Sequence, residues 1–287
     1  MSSVKIKNKG VISVGGGNVL NASKNGFFLY SLETGESKKV GVWQNDRWWD
    51  IQILYQEDTF IVLSFSTNEV VLINKQEFTN ITVPNFQFPY FNLLKKIGRK
   101  EVLFDRGWLG YYVLDLDSKE YSKYSSLMVT KYYYDFRTCD SNLFPIRTNP
   151  LFIDKDYDKV LYHFHGSKSL QEIGVYSISD QSFMTKFMAP EPIQTVNWYS
   201  DVKSKENTNI YSNIRGGITL EGNIILCYKK MLYLMDGNGQ ILMKRGCDDN
   251  KRYFDLVVDK NKVYFSELNE ISNEMDILVL DDSKAVL

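Results

Sequence analysis

The chain is predicted to be all-β, built from six similar units that are each a four-stranded antiparallel sheet. Short runs of Val, Ile, Leu, Tyr and Phe, bounded by Gly, Asn, Asp and Ser, fill it with no sustained helical period. A pair of aromatics closed by Asp or Asn recurs as Trp48-Trp49-Asp50, Tyr90-Phe91-Asn92, Tyr133-Tyr134-Asp135 and Tyr253-Phe254-Asp255, with a looser copy in Trp198-Tyr199-Ser200-Asp201. The first two intervals, 48 to 90 and 90 to 133, are 42 and 43 residues. A fixed period of that size marks repeat architectures.

The first unit, 9–43, is expected to hold strands over 11–14, 18–22, 27–32 and 37–42, with Gly15-Gly16-Gly17 as its first hairpin turn. The second, 48–84, alternates from Trp49 to Tyr55, turns at Gln56-Glu57-Asp58, and continues over 59–65, 68–74 and 77–83. The third, 89–126, repeats this over 90–97, 101–105, 110–114 and 121–125. In the fourth, 131–188, about fourteen residues separate Tyr133-Tyr134-Asp135 from the innermost strand at Pro150, and 160–164, 173–178 and 183–187 follow. The fifth, 197–246, has a comparable insertion before strands at 217–220, 223–228, 231–235 and 241–244.

The sixth unit, 252–287, supplies only three clear strands, 254–258, 262–266 and 275–280. An open edge would leave backbone groups unpaired, so a strand from the N-terminus, Val4-Lys5-Ile6-Lys7 within 3–8, is expected to complete it and close the ring. Asp282 to Leu287 competes for that place. On this reading residues 1–287 form one domain. In most units the third strand runs into a polar turn, as at Glu33-Thr34-Gly35-Glu36, Asp115-Leu116-Asp117-Ser118-Lys119, Asp236-Gly237-Asn238-Gly239-Gln240 and Asp281-Asp282-Ser283. Asp, Asn and Gly provide the positive φ and the side-chain acceptors that such turns demand.

The period, the four-strand blocks and the turn chemistry resemble the β-propeller superfamily over essentially the whole chain, and the resemblance implies a six-bladed propeller. It implies a fold and no single function. The Gly-His and Trp-Asp marks of WD40 blades and the doubled glycines of kelch blades are missing. Trp48-Trp49-Asp50 is similar to the Tyr-Trp-Thr-Asp blades of receptor ectodomains but lacks the Thr, and the turn at Asp236 resembles that of quinoprotein-type blades.

Composition narrows the function. The chain is 44% hydrophobic and 24% charged, which suits a soluble globular protein with a real core. With 34 Lys and Arg against 35 Asp and Glu there is no cationic surplus to displace counterions, so nucleic acid is not expected as a partner. No apolar leader with a cleavage site opens the chain and no apolar stretch is long enough to span a bilayer, so a cytoplasmic location without membrane contact is expected. Cys139, Cys227 and Cys247 lie too far apart for a paired metal or disulfide pattern and read as free thiols.

Several residues invite a chemical reading. His163 and His165, two apart on a strand, share a face and could ligate a metal, but a third histidine does not exist and hydrogen-bonded structural roles fit better. Asp154-Lys155-Asp156-Tyr157-Asp158 opens like a calcium loop, yet Lys159 and His165 stand where Gly and Glu are required, leaving a hairpin turn. Asp50, Asp135, Asp201 and Asp255 could converge on the axis as a carboxylate pair for glycoside chemistry, although any repeat brings equivalent residues together. No nucleophile elbow or cofactor motif is present, so no cofactor, metal or catalytic residue is assigned.

The aromatic pairs recur in unit after unit, which suits packing between blades better than recognition. The insertions do not recur. Residues 136–149 and 201–215 enter consecutive blades, the fourth and fifth, and carry Arg137, Asp140, Arg147, Lys203, Lys205, Tyr211 and Arg215. Long loops on a rigid scaffold concentrate binding residues, and Arg and Tyr are favoured interface anchors. The expectation is therefore a non-enzymatic propeller that binds another protein on that loop face. Its size, its richness in Tyr and Asn and its few histidines suggest a bacterial partner-neutralising protein of the toxin-immunity type. The competing reading is a propeller enzyme, or a binder of a carbohydrate or small molecule, using carboxylates and aromatics around the channel.

Overall fold

The computed structural model describes residues 3–6, 11–23, 25–42, 51–56, 59–64, 69–73, 78–82, 94–98, 101–105, 111–125, 147–154, 156–165, 171–190, 214–228, 230–272 and 274–284. After β1 (Ser3–Ile6), the first sheet comprises β2 (Val11–Gly15), β3 (Asn18–Ser23), β4 (Gly26–Ser31) and β5 (Ser37–Gly41). The second comprises β6 (Ile51–Gln56), β7 (Thr59–Ser64), β8 (Glu69–Ile73) and β9 (Phe78–Thr82). The third comprises β10 (Leu94–Gly98), β11 (Glu101–Asp105), β12 (Tyr111–Asp115) and β13 (Tyr121–Lys123). The fourth comprises β14 (Arg147–Asp154), β15 (Lys159–His165), β16 (Gln171–Ser177) and β17 (Ser182–Met188). The fifth comprises β18 (Ile214–Ile218), β19 (Ile224–Tyr228), β20 (Met231–Met235) and β21 (Ile241–Gly246). The last comprises β22 (Lys251–Asp259), β23 (Lys262–Asn269) and β24 (Met275–Asp281), with β1 antiparallel to β24 at its outer edge. A 3-10 turn over Asp282–Lys284 follows.

Five sheets are four consecutive strands in antiparallel order and the sixth is β22, β23 and β24 with β1 added, and the inner strands β2, β6, β10, β14, β18 and β22 adjoin one another around a ring in which β2 meets β22. This is a six-bladed β-propeller. Among the described residues six buried apolar clusters lie one at each joint between blades. Leu20, Ala22 and Phe27 meet Ile53, Phe60 and Val62, and Ile61 and Val70 meet Val102 and Leu114. Leu103 and Tyr111 meet Val160 and Tyr162, and Leu151 and Leu161 meet Ile224 and Tyr233. Cys227 and Leu232 meet Val263 and Phe265, while Val14 and Val19 meet Tyr264 and Ile277. Burying each such side chain is worth about 1.5–3 kcal/mol, so the joints dominate the stability of the ring.

Position in the blade explains the hydropathy pattern. The middle strands are covered on both faces, which is why Ile224–Tyr228 and Met231–Met235 read as near-continuous apolar runs. The outer strand Ser182–Met188 has one covered face, and its residues alternate strictly between exposed and half-buried.

Three strand starts lie earlier than the sequence suggests. β14 begins at Arg147 although Pro150 interrupts it, because a register shift between Pro150 and Phe152 absorbs the missing amide donor. Arg147 to Asn149 are therefore strand and not insertion, and Arg215 likewise belongs to β18. In the last blade Tyr253-Phe254-Asp255 lies inside β22, at a bulge between Tyr253 and Asp255, so this copy does not stand at the turn into the strand. Tyr253 is buried in the cluster that joins the fifth and sixth blades, beside Phe265 of its own blade. The copies at Trp48, Tyr90, Tyr133 and Trp198 lie outside the described residues.

The turn chemistry is uniform. Asp236 Oδ1 accepts the amides of Asn238 and Gln240, Asp115 Oδ1 those of Asp117 and Ser118, and Ser31 Oγ that of Thr34. Gly35, Lys119, Gln181 and Gly239 supply the left-handed residue of the equivalent turns. Gly16 and Gly17 do the same for the β2–β3 hairpin, while Gly15 makes room for a neighbour: a Cβ there would fall inside the ring of Tyr55, from the next blade.

Candidate protein-binding face

Antiparallel alternation sorts the connections by face. Turns from first to second and from third to fourth strand leave one face of the ring. Turns from second to third strand, and the crossovers from an outer strand to the next inner strand, leave the other. Among the described strands the longest sequence separations between an outer strand and the next inner strand are those from β13 to β14 and from β17 to β18, residues 124–146 and 189–213. Both enter consecutive blades.

Of the seven residues singled out from the sequence, Arg137, Asp140, Lys203, Lys205 and Tyr211 lie outside the described residues. Arg147 opens β14 opposite His165, and only its backbone is described. Arg215, the second residue of β18, is half-buried and its Nη1 donates to the carbonyl of Ile214 at 3.3 Å. Strand alternation puts Arg215 on the same side as Gly217, where a Cβ would strike Val258 of β22, and opposite Gly216, which abuts Leu151 and Leu161. Arg215 thus points toward the sixth blade.

On the crossover side of the joint between the fifth and sixth blades lies a charged network that the sequence does not announce. Arg245 Nη2 meets Glu267 Oε1 at 2.9 Å, and Lys251 Nζ lies 3.5 Å from Glu267 Oε2 and 3.2 Å from Asp276 Oδ2. These groups come from β21, β22, β23 and β24, so no local spacing reveals them. Glu267 is buried, with a side-chain exposure of 5%. The hydrogen bond to Asp276 holds the Lys251 ammonium above the usual lysine pKa, and the charges of Asp276 and Glu267 add to it. Burial, then Glu267, pushes the Cys247 thiol up, and burial pushes the Tyr253 hydroxyl far up. A raised thiol is a poor nucleophile at neutral pH, so this cluster works as a clamp.

The opposite face carries tight turns. Asp158 accepts from the hydroxyls of Ser177 and Ser179, both at 2.7 Å, and from the Ser179 amide at 2.6 Å. The Ser177 hydroxyl first, then that of Ser179, holds the Asp158 carboxyl below the usual range. Asp154 Oδ1 accepts the amides of Asp156 and Tyr157, so two acids of the calcium-like stretch are occupied in building the hairpin. Across the next joint the buried Asp282, which follows β24 of the sixth blade, accepts from Thr219 Oγ1 of the fifth blade at 2.6 Å and from Asn223 Nδ2 at 3.0 Å. Between these turns is a small open pocket lined by Phe152, Tyr157, Lys159, Ile218, Thr219 and Leu220. Its walls come from sequence segments in two blades, which is why the sequence does not reveal it.

His163 is buried on β15, and among the described residues no group of three His, Cys, Asp or Glu side chains is placed to hold a metal. Of the axial carboxylates weighed from the sequence, Asp50, Asp135 and Asp201 lie outside the described residues, and only the backbone of Asp255 is described. Among the described residues no helix is long and apolar enough to cross a membrane.

Comparison with known proteins supports the architecture. The chain is similar to a catalytically inactive virginiamycin B lyase from Staphylococcus aureus solved with quinupristin, at a TM-score of 0.54 and 12% identity, covering 97% of this chain and 99% of that one. It is also similar to the Cps50 (Swd1) β-propeller domain of Myceliophteria thermophila, at a TM-score of 0.50 and 10% identity, covering 97% and 98%. At such identities the likeness is one of fold. No family model and no curated protein sequence matches the chain.

Proposed function

We propose that this chain is a non-enzymatic protein-binding propeller that engages its partner through the crossovers entering the fourth and fifth blades. The observation carrying the proposal is topological. The two longest crossovers between described strands, 124–146 and 189–213, enter adjacent blades of a ring whose joints are packed by apolar clusters. A rigid ring presenting two long neighbouring segments is the arrangement in which loops acquire binding roles. Arg137, Asp140, Arg147, Lys203, Lys205, Tyr211 and Arg215 are the proposed contact residues, and Arg and Tyr are the types that most often dominate such contacts. The finer proposal is that the chain neutralises a toxic protein in a bacterial cytoplasm.

Affinity capture from the native cell, with the wild-type chain and with Tyr211→Ala and Arg147→Ala as baits, tests both levels. One protein retained by wild type and lost from both variants, with unchanged melting temperatures, is the expected result. That protein should arrest growth when expressed alone and cease to do so when co-expressed with this chain. Retention by both variants sinks the proposed face, and a partner harmless on its own sinks the neutralising role.

A further inference from the structure

We infer that the pocket between the fourth and fifth blades on the tight-turn face binds the carboxyl-terminal residue of a partner polypeptide. Lys159 would take the carboxylate, and the terminal apolar side chain would lie between Tyr157 and Leu220. This site is on the opposite face from the crossovers and does not depend on the proposal above.

The pocket has a buried floor and exposed walls. Ile218 and Thr219 at its base are 5% and 3% exposed, whereas Tyr157 and Leu220 at its rim are 42% and 50% exposed. Tyr157 of the fourth blade and Leu220 of the fifth thus leave apolar surface in water at the turn tips beside the pocket. Both tips are held firmly. Asp158 adopts a φ of 57°, and its carboxylate is gripped by Ser177 and Ser179, while Asp154 caps the amides of Asp156 and Tyr157. The Leu220 amide donates to the carbonyl of Lys260, and the adjacent Thr219 is fastened to the buried Asp282. The backbone of the rim is therefore ordered before a ligand arrives, which lowers the entropy cost of binding.

Lys159 supplies the charge that selects the ligand. It is half-buried, its Nζ reaches across the joint to 3.9 Å from where a side chain on Gly222 would begin, and it forms no ion pair among the described residues. The carboxylate of the facing turn, Glu221, is turned away and accepts from Asn261 Nδ2 of the sixth blade at 3.0 Å. Asp158 is engaged by the two serines. A cation beside an apolar slot calls for an anion bonded close to an apolar group. A C-terminal residue carries both on one Cα. A free small acid offers the same two features, and a polypeptide end adds the contacts of its preceding residues on the turn face.

The test is an NMR titration of the full chain with a hexapeptide ending in Val-Leu as the free acid, the same peptide amidated, and N-acetyl-leucine. The acid peptide is expected to give saturable shifts at Tyr157, Leu220 and Gly222, and the amide to bind about tenfold more weakly, the loss that follows from removing a charge-assisted contact. Lys159→Gln and Leu220→Asp should lose the acid peptide to the same extent with unchanged melting temperatures, and Lys159→Arg should retain it. Equal binding of acid and amide, full binding by Lys159→Gln, or no saturable shift at millimolar peptide would each overturn the proposal. N-acetyl-leucine binding as tightly as the peptide would overturn the polypeptide assignment in favour of a free small acid.

Discussion

Arg245 of the fifth blade and Glu267 of the sixth meet at 2.9 Å across the joint between them, and Glu267 is the buried partner. The same carboxylate also receives Lys251 at 3.5 Å, so one side chain organises two cations from two blades. Removing it would take the buried carboxylate from Arg245 and leave Lys251 with Asp276. Glu267→Ala is expected to cost about 3 kcal/mol, at the lower end for breaking a buried pair because Arg245 and Lys251 stay partly hydrated. Urea unfolding measures this, and a loss well under 1 kcal/mol would show that the clamp contributes no net stability.

Alkaline pH should loosen the same joint. Tyr253, through burial, and Lys251, through its hydrogen bond to Asp276, both have folded pKa values raised above the ordinary ones. A raised folded pKa means that the contribution is complete below the unfolded pKa and is lost as pH rises through the folded one. Melting temperature should therefore fall from about pH 10 upward. Tyr253→Phe should flatten that limb. Its hydroxyl is buried with no hydrogen-bond partner among the described residues, so at pH 7 the variant should be neutral or up to about 1 kcal/mol more stable. A clear loss at pH 7 would reveal an accepted hydrogen bond.

Acid should act at the other face. The Asp158 carboxyl is held below the ordinary carboxyl value by the hydroxyls of Ser177 and Ser179. A depressed folded pKa gives stability that is present above the unfolded pKa and lost as pH falls through the folded one. Asp158→Asn tolerates the same left-handed backbone and removes the charge together with one acceptor oxygen. Thermal melts of the variant should thus be less sensitive to pH between about 4 and 2 than those of wild type. Identical acid limbs would assign that sensitivity to other carboxylates.

Gly15 and Tyr55 make a steric prediction. The Tyr55 ring occupies the space of a Gly15 side chain and also packs on Phe60 at 4.9 Å between centroids. Gly15→Ala should destabilise by about 1–3 kcal/mol through overpacking. Adding Tyr55→Leu should restore part of the loss, a coupling that a double-mutant cycle in urea would read. Additive effects would mean that the ring moves aside freely.

Certain parts of this protein were legible in the linear chain because they are local. Strand runs, the period of the aromatic pairs and the Asp-Gly-rich turns depend on neighbours a few residues apart, and together they imply six four-stranded units, which the structure shows. Boundaries suffered wherever a strand carries an irregularity. Pro150 reads as a strand start, yet the bulge beside it lets β14 begin at Arg147. Tyr253-Phe254-Asp255 reads as an entrance to a strand, yet it lies within one.

What belongs to the joints was decided only by closing the ring. Arg245, Lys251, Glu267 and Asp276 form a network because β21 packs beside the sheet of β22, β23 and β24. Tyr157, Lys159 and Leu220 line one pocket because the turns of two blades are brought side by side. By itself the sequence determined the repeat, the strand count and the turn chemistry, since these follow from hydrogen bonding and hydropathy along the chain. The tertiary structure determined which charges are partnered and which apolar side chains stay uncovered, since those depend on surfaces that meet only when consecutive blades pack.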